Sequence, residues 1–160
     1  MITGSRPNGS MMACESSPRL RLIPTPHKRL VWRKAAINYA RVGAQKIWAG
    51  TVSIKPDAKT GAHHHGELES VIYVVRGKAR MRWGERLEFV AEAGPGDFIY
   101  VPPFVPHQEI NGSASESLEC VVIRSDNESV VVNLPIEPVE RPEKVLWIDP
   151  ILRTDPAKQD

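Results

Sequence analysis

The middle of the chain is built from short apolar or alternating runs separated by turn-forming residues. Runs of this length that recur along a sequence are typical of strands in an all-β sandwich or barrel, whereas helices need a sustained period of about 3.6 residues. Glycines such as Gly77 and Gly84 follow the runs and permit tight turns. We predict seven strands, at residues 46–54, 71–76, 79–83, 87–91, 98–101, 118–124 and 130–134.

The composition divides the 160-residue chain into three zones. Residues 1–28 are rich in Ser, Pro, Gly and Arg and predict a flexible leader, whereas residues 29–134 form the predicted β-barrel domain. Residues 135–160 are rich in Pro and predict an irregular arm, and any helix should be short and lie in the tails. Because edge strands need protection, residues 29–40 are expected to add a strand across a dimer interface.

Charge and cysteine usage narrow the partners and the compartment. The formal net charge of +2 offers no strong field for nucleic acid or an anionic membrane. No run approaches the roughly 20 apolar residues of a membrane span, and the first 21 residues lack a secretory apolar stretch. Cys14 and Cys120 do not make a disulfide framework. We expect a cytoplasmic protein with reduced thiols that binds neither nucleic acid nor membrane.

Histidines form the main chemical feature of the barrel zone. In an extended segment alternate side chains share a face, so His63 and His65 point the same way and His64 points oppositely. Glu69 follows closely and offers a carboxylate, and His107 lies on a later extended segment. Two histidines from one strand, one from another and a carboxylate predict a mixed N/O site for one divalent transition metal, Mn, Fe, Ni, Zn or Cu.

This histidine segment resembles the first motif of the cupin superfamily, roughly Gly-x5-His-x-His-x3,4-Glu-x6-Gly. His63, His65, Glu69 and Gly77 occupy its later positions. Its first glycine falls on Asp57, a residue type that tolerates a left-handed turn.

The segment around His107 resembles the second cupin motif, roughly Gly-x5-Pro-x-Gly-x2-His-x3-Asn. Gly96, Pro102, His107 and Asn111 match it, and Phe104 replaces its second glycine. A phenylalanine there would line or narrow the pocket mouth.

The resemblance implies a jelly-roll-like antiparallel β-sandwich barrel that is commonly a homodimer. It also implies that His63, His65 and His107 bind the metal inside the barrel, with Glu69 as the fourth ligand. The Glu-x6-Gly spacing counted back from Gly77 reaches Ser70 instead. Glu69 faces inward only if the chain bulges after His65, and otherwise water completes a three-histidine site. We favour the bulge.

Further side chains are candidates for the pocket. Strand parity with His107 places Glu109 inward, as an orienter of a ligand histidine or a general base, unless it forms a salt bridge at the rim. Tyr100 is a candidate phenol for contacting substrate, or else a core aromatic. Arg80 and Arg82 are expected to face solvent. If their parity is reversed, they line the pocket and the substrate is anionic.

These features predict a metal-dependent enzyme that acts on a small molecule, through dioxygenase-like or isomerase-like chemistry. An apolar pocket, expected from Val71, Phe98, Ile99 and Phe104, favours dioxygenation. The alternative is a non-catalytic barrel that binds a small metabolite or sugar and uses the metal structurally. An open coordination position would distinguish the enzyme, because structural sites are closed by protein ligands. A transcription regulator is disfavoured because neither tail offers a helix-turn-helix segment.

Overall fold

Two β-sheets enclose one hydrophobic core in the computed structural model, which describes residues 30–126 and 130–146. One helical turn, α1 (Tyr39–Val42), follows the first strand. The strands, in chain order, are β1 (Val31–Ile37), β2 (Trp48–Ile54), β3 (His63–His64), β4 (Ser70–Arg76), β5 (Ala79–Trp83), β6 (Phe89–Ala93), β7 (Phe98–Val101), β8 (His107–Asn111), β9 (Leu118–Arg124), β10 (Val132–Asn133) and β11 (Glu143–Lys144).

The order of the strands in each sheet brings distant parts of the sequence together. The five-stranded sheet has the order β1-β2-β9-β4-β7, and the six-stranded sheet has the order β10-β3-β8-β5-β6-β11. All the strand pairs are antiparallel except β11, which pairs with β6 in parallel. This arrangement confirms the predicted all-β, jelly-roll-like sandwich.

Alternation along the strands separates an apolar part of the interior from a polar part. On β9, Leu118, Cys120 and Val122 are buried in the core, and the next residue of the same parity is the buried Arg124. Arg124 lies opposite Ser70 of β4, which is also buried. The interior therefore changes from aliphatic side chains to polar ones where β4 begins and β9 ends.

Five of the seven predicted strands overlap observed strands closely, and the differences in the other two have local causes. The strand predicted at 87–91 begins two residues later, because Leu87 has a positive φ of 51° and closes a turn through its N–H to the carbonyl of Gly84. Only Val132–Asn133 of the segment 130–134 pairs, with β3. Sequence patterns missed the short strands β3 and β11, because two residues carry no measurable period.

The tails and the first strand correct three expectations. The segment at 29–40 forms β1, which pairs with β2 of its own chain rather than requiring a second copy. The helical turn α1 lies inside the barrel zone and not in a tail. The C-terminal arm is not wholly irregular, since β11 extends a sheet. The leader at 1–28, with Cys14, and the end of the arm at 147–160 lie outside the described residues.

Cys120 is a free thiol in the core. Burial raises its pKa to about 12, and the negative charges of Glu109 and Glu119 act in the same direction. A thiol with so high a pKa is unreactive at neutral pH, in line with a reduced structural cysteine.

Two positions that are glycine in the cupin motifs have left-handed backbone here. Asp57 has φ 57° and Phe104 has φ 59°. Aspartate tolerates this region, whereas a bulky residue is strained in it by about 1–3 kcal/mol. The Phe104 N–H donates to the carbonyl of Gly66 at 2.8 Å, a contact that fixes the turn.

Replacing Phe104 by glycine is expected to raise the free energy of unfolding by about 1 kcal/mol, because glycine adopts positive φ without strain. The ring is 58% exposed, so little packing is lost. Phe98 is 69% exposed in β7 and provides the matched control, since glycine inside a strand costs about 0.5–1 kcal/mol. Denaturant unfolding measures both variants. Equal destabilisation of the two would contradict strain at Phe104.

Candidate metal centre

Three histidines converge at the polar end of the interior. His63 on β3 lies directly opposite His107 on β8, and His65 follows two residues after His63. The ring centroids are 4.4 Å apart for His63 and His107, 4.9 Å for His63 and His65, and 5.0 Å for His65 and His107. All three side chains are buried. The strand pairing therefore brings together the three histidines that the sequence singled out.

Backbone carbonyls fix the tautomer of each histidine. Each ring places its Nδ1 within hydrogen-bond distance of a carbonyl oxygen, which can only accept, so Nδ1 carries the hydrogen. In a neutral imidazole the other nitrogen, Nε2, then keeps its lone pair. The acceptors are the carbonyls of Gly61, Val130 and Val105, at 2.9, 2.8 and 2.9 Å from Nδ1 of His63, His65 and His107 respectively.

Glu109 supplies the carboxylate of this site. The Thr60 hydroxyl donates to its Oε2 at 2.7 Å, and the Glu109 N–H donates back to the same hydroxyl oxygen at 3.1 Å. Its Oε2 lies 3.5 Å from Nε2 of His63, and its Oε1 lies 4.0 Å from Nε2 of His107. The position predicted by parity with His107 is thus correct, whereas a base or orienting role remains a prediction.

The charge states of Glu109, His65 and His107 match those of metal ligands. Burial alone would raise the pKa of Glu109. The imidazoles of His63 and His107 outweigh burial and, with the Thr60 hydroxyl, lower the pKa of this carboxyl to about 2. Burial, and then the charge of Arg124, lowers the pKa of His65 to about 3. Burial also lowers the pKa of His107, partly opposed by Glu109. A carboxylate and neutral imidazoles are the forms that bind metal.

The unsatisfied atoms test whether these residues fit a metal ion. Nε2 of His63 and Nε2 of His107 are buried and have no hydrogen-bond partner among the described residues. Both lone pairs face the Glu109 carboxylate, an arrangement of electron-rich atoms that a cation between them would stabilise. One ligand atom from each of His63, His65, His107 and Glu109 lies within 4.8 Å of the others. Opposite ligands of a transition metal are about 4.2 Å apart, so an inward shift of roughly half an ångström lets the set bind one ion.

Arg124 is a buried residue beside the histidines that sequence reasoning missed. Its Nη2 donates to Nε2 of His65 at 3.2 Å, and its guanidinium carbon lies 5.4 Å from the ring centroid of Trp48. The side chain is only 3% exposed. Burial lowers the pKa of Arg124, as does the charge of Arg33, and Glu109 opposes both. Parity along 118–124 could have placed Arg124 inward with its apolar neighbours.

The structure does not bring Glu69 to the histidines. A tight turn, closed by the Leu68 N–H donating to the carbonyl of His65, leads into β4 with Ser70 facing inward. Glu69, one residue earlier, points outward, and its Oε1 accepts a hydrogen bond from the Tyr100 hydroxyl at 2.6 Å. The expected bulge is therefore corrected to a turn, and both Glu69 and Tyr100 lie on the outer face of the five-stranded sheet.

His64 points away from its two neighbours, as strand parity predicts. Its Nδ1 accepts a hydrogen bond from the Gly66 N–H at 2.9 Å, and its ring centroid lies 5.9 Å from that of Phe104. It does not belong to the group of residues that could share one ion.

An open cleft of ≈ 420 Å³ leads to the site. Its lining is about half polar and half apolar and carries two cations, with Arg33, Lys59, Thr60, His63 and Asn133 on the polar side and Leu30, Val31 and Val131 on the apolar side. The prediction of an apolar pocket lined by Val71, Phe98, Ile99 and Phe104 is wrong for three of these four residues. Ile99 packs against the core, but Phe98 and Phe104 are exposed and Val71 has the parity of the outer face. Arg80 is also outside, bonded to Glu92, as predicted.

Among the described residues, no helix reaches the length and apolar character that crossing a bilayer requires.

Comparisons with known proteins agree with this fold. The chain resembles the polyketide cyclase RemF from Streptomyces resistomycificus, with 24% identity, a TM-score of 0.58, and coverage of 71% of this chain and 76% of that one. A protein from Klebsiella pneumoniae with a double-stranded β-helix domain is 15% identical, with a TM-score of 0.57, and the match covers 72% of this chain and 97% of that one. Oxalate decarboxylase from Bacillus subtilis is 22% identical, with a TM-score of 0.54, and the match covers 61% of this chain and 26% of that one. Curated protein sequences give no significant match.

The sequence itself also carries a family signature. The family model of the cupin domain matches residues 50–124, which run from β2 to the end of β9 and include all four residues of the candidate site. Both sequence motifs, the double sheet and the converging histidines are thus parts of one pattern. The chain therefore contains a cupin domain, which the family model places at residues 50–124.

Proposed function

We propose that this cupin is a metal-dependent enzyme that acts on a small molecule. One observation carries the proposal: three Nε2 lone pairs, each directed by a carbonyl on the opposite ring nitrogen, converge with the Glu109 carboxylate inside the barrel. Nε2 of His63 and Nε2 of His107 have no hydrogen-bond donor among the described residues, and electron-rich buried atoms of this kind favour a bound cation.

The residues that would hold the ion are His63, His65, His107 and Glu109. This set contains no sulfur and combines imidazole nitrogen with carboxylate oxygen, which suits a divalent ion such as Mn, Fe, Ni, Zn or Cu. When bound, the ion would supply Lewis-acid polarisation of a substrate oxygen, or activation of oxygen. The chain's own contribution is to hold the ligands: Thr60 fixes the Glu109 carboxylate, and the carbonyls fix the rings.

The cleft favours an enzyme over a barrel with a structural metal. A structural site is closed by its protein ligands, whereas a catalytic site keeps a position for substrate. Here the cleft of ≈ 420 Å³ reaches His63 and is large enough for a small metabolite. RemF and oxalate decarboxylase, two proteins of similar fold, are enzymes by name. The likeness supports a catalytic barrel and leaves the reaction to be found.

Dioxygenation was favoured because an apolar pocket was expected. Most of the side chains expected to line that pocket face outward, so this argument no longer supports it. Isomerase-like chemistry on a polar metabolite is better matched to a cleft that contains Arg33, Lys59 and Thr60. We therefore rank sugar or keto-acid isomerisation first and dioxygenase-like chemistry second.

The test combines metal analysis with turnover. Elemental analysis of the purified protein should find about one transition-metal ion per chain. The loaded protein is then incubated with keto acids, sugar acids, catechols and hydroquinones, with product formation and oxygen consumption followed in parallel. Turnover without oxygen consumption supports the first ranking. Tight binding of panel compounds without turnover of any of them would support the non-catalytic barrel instead.

A homodimer remains our prediction, and an apolar outer face now offers a site for it. Tyr73 on β4 lies opposite Phe98 of β7 on one side and Val121 of β9 on the other. Val71 lies likewise between Tyr100 and Ile123. Exposed apolar patches of this kind mark interfaces.

Replacing Phe98 by glutamate should convert a dimer into a monomer in light-scattering measurements at fixed concentration. A Glu92→Gln variant, changed elsewhere on the surface, should remain dimeric. A wild-type protein that is already monomeric would contradict the prediction. The cytoplasmic location also remains a prediction.

A further inference from the structure

The C-terminal segment 130–146, which we call the strap, spans the six-stranded sheet. Its β10 pairs with β3 at one edge of that sheet, and its β11 pairs with β6 at the other edge. Between these two strands the strap meets Arg82 of β5, whose parity is opposite to that of the core residue Met81. The strap therefore crosses the outer face of the sheet, and it lies beyond the cupin domain at residues 50–124.

The strap supplies the carbonyl that holds His65. Nδ1 of His65 lies 2.8 Å from the carbonyl oxygen of Val130, which is 65 residues away in the sequence. By contrast, the carbonyls that hold His63 and His107 belong to residues two positions earlier in their own segments. Two of the three rings are thus held locally, whereas the orientation of the His65 ring depends on a distant part of the chain.

The backbone of β3 also depends on the strap. This strand contains only His63 and His64, and it pairs with β8 at a single position, His63 opposite His107. On its other side both of its residues pair with β10, and the residue after β10 donates its N–H to the carbonyl of Ala62 at 2.9 Å. The strap therefore contributes more of the pairing of this histidine-bearing strand than β8 does.

Arg82 anchors the strap at a distance from the histidines. Its Nη2 donates to the carbonyl of Val139 at 2.6 Å, and its Nε donates to the carbonyl of Leu87 at 2.9 Å. The Val139 N–H donates in turn to the carbonyl of Arg86 at 3.1 Å. These bonds join the strap to the turn between β5 and β6. The two prolines between β10 and Val139 restrict the backbone there, so a shift at the anchor is transmitted towards β10.

We propose that the strap positions His65 and that Arg82 is a positioning residue that acts through it. The Val130 carbonyl holds the ring so that Nε2 is directed at the site, and Arg82 keeps the strap docked so that this carbonyl stays in place. The consequence for metal binding rests on the proposed function. The strap also supplies Val131 and Asn133 to the wall of the cleft, so its docking determines both ligand geometry and cleft shape.

Exchange of the ring N–H protons with water tests the proposal in the full-length, metal-free protein. Arg82→Gln shortens the side chain and removes its bond to the strap. The Nδ1–H of His65, measured by NMR, should then exchange roughly tenfold faster than in the wild type. The Nδ1–H protons of His63 and His107 should keep their wild-type rates, because their acceptors are local. A merely structural role of Arg82 would accelerate exchange at all three rings together.

Arg80→Gln is the matched control for this substitution. Arg80 lies two residues from Arg82 on the same strand and is bonded to Glu92 instead of the strap, so all three exchange rates should stay unchanged. Val139→Pro approaches the anchor from the other side. It removes the N–H that donates to Arg86 and leaves the side chain of Arg82 intact, and it should reproduce the selective release of His65 even if Arg82→Gln does not fold.

Affinity for Zn²⁺, measured by competition with a chelator, gives the second readout. Loss of the group that orients a ligand histidine costs about 10- to 100-fold in metal affinity, and Arg82→Gln should lie at the lower end because it acts indirectly. Coupling between two sites is reciprocal, so Zn²⁺ should slow exchange of the backbone amides of Leu134 and Val139 in the wild type.

The proposal fails if Arg82→Gln accelerates ring exchange equally at all three histidines, or if neither Arg82→Gln nor Val139→Pro changes exchange at His65. Unchanged Zn²⁺ affinity in a variant whose His65 ring is released would also overturn it. Wild-type protein that binds no Zn²⁺ or other transition metal would reject the proposed function. The exchange rates of the metal-free protein would still decide whether the strap positions His65.

Discussion

Alanine at position 107 is expected to lower metal affinity by roughly a hundredfold or more, so that the purified variant retains little metal. His107 is central to the site because it pairs with His63 across β3 and β8 and its Nε2 has no other partner among the described residues. Its ring is held by the Val105 carbonyl, which lies 2.9 Å from Nδ1. Elemental analysis and competition with a chelator measure the loss.

His64→Ala is the matched control for this experiment. His64 is in the same histidine triplet, but its ring lies beside Phe104 and its Nδ1 accepts from the backbone of Gly66. Metal content should be unchanged in this variant. Because a buried alanine at 107 also leaves a cavity, His107→Gln tests the imidazole at nearly constant volume. Equal metal loss in the His64 and His107 variants would refute the strand-parity basis of the site.

Strand parity explains why the sequence predicts so much of this site. The spacing of two residues places His63 and His65 on one face in any extended segment, and the same rule places Glu109 beside His107. Parity cannot say which set of alternate side chains faces the interior once the chain has passed through a turn. The turn at Gly66, where φ is 62°, decides whether Glu69 or Ser70 faces inward. A shift of one residue reverses every side chain, so the structure places Glu109, and not Glu69, beside the histidines.

The apolar pocket was mispredicted for a related physical reason. Both sides of a strand can carry apolar residues, and β4 and β7 do so. Hydrophobicity alone does not then say which side is the core, because a folded surface is itself largely apolar. Arg124 gives the converse case: a charged residue is expected outside, yet its parity with Leu118, Cys120 and Val122 puts it inside. Alternation was a better guide than residue type at both places.

Replacing Glu109 by glutamine is the sharpest test of which carboxylate belongs to the site. The substitution keeps the size of the side chain and removes its charge. A neutral amide is a much weaker ligand than a carboxylate, so metal affinity is expected to fall by about 10- to 100-fold. Glu69→Gln is the control: Glu69 lies on the outer face, bonded to Tyr100, and its loss should leave metal affinity unchanged.

The stability of the metal-free protein should also fall in this variant. In the wild type the Thr60 hydroxyl donates to the Glu109 carboxylate at 2.7 Å, and Nε2 of His63 and of His107 lie 3.5 and 4.0 Å from its oxygens. These groups lower the pKa of Glu109 to about 2, and a carboxyl whose pKa is lower in the folded protein than in the unfolded chain stabilises the fold at neutral pH. Glu109→Gln loses this contribution and should therefore unfold at a lower denaturant concentration than the wild type when both are measured in a chelator. It should be less stabilised than the wild type by added metal, because ligand stabilisation follows affinity. If instead Glu69→Gln loses the metal and Glu109→Gln keeps it, the turn after His65 does not have the register described here, and the carboxylate ligand of this cupin is Glu69.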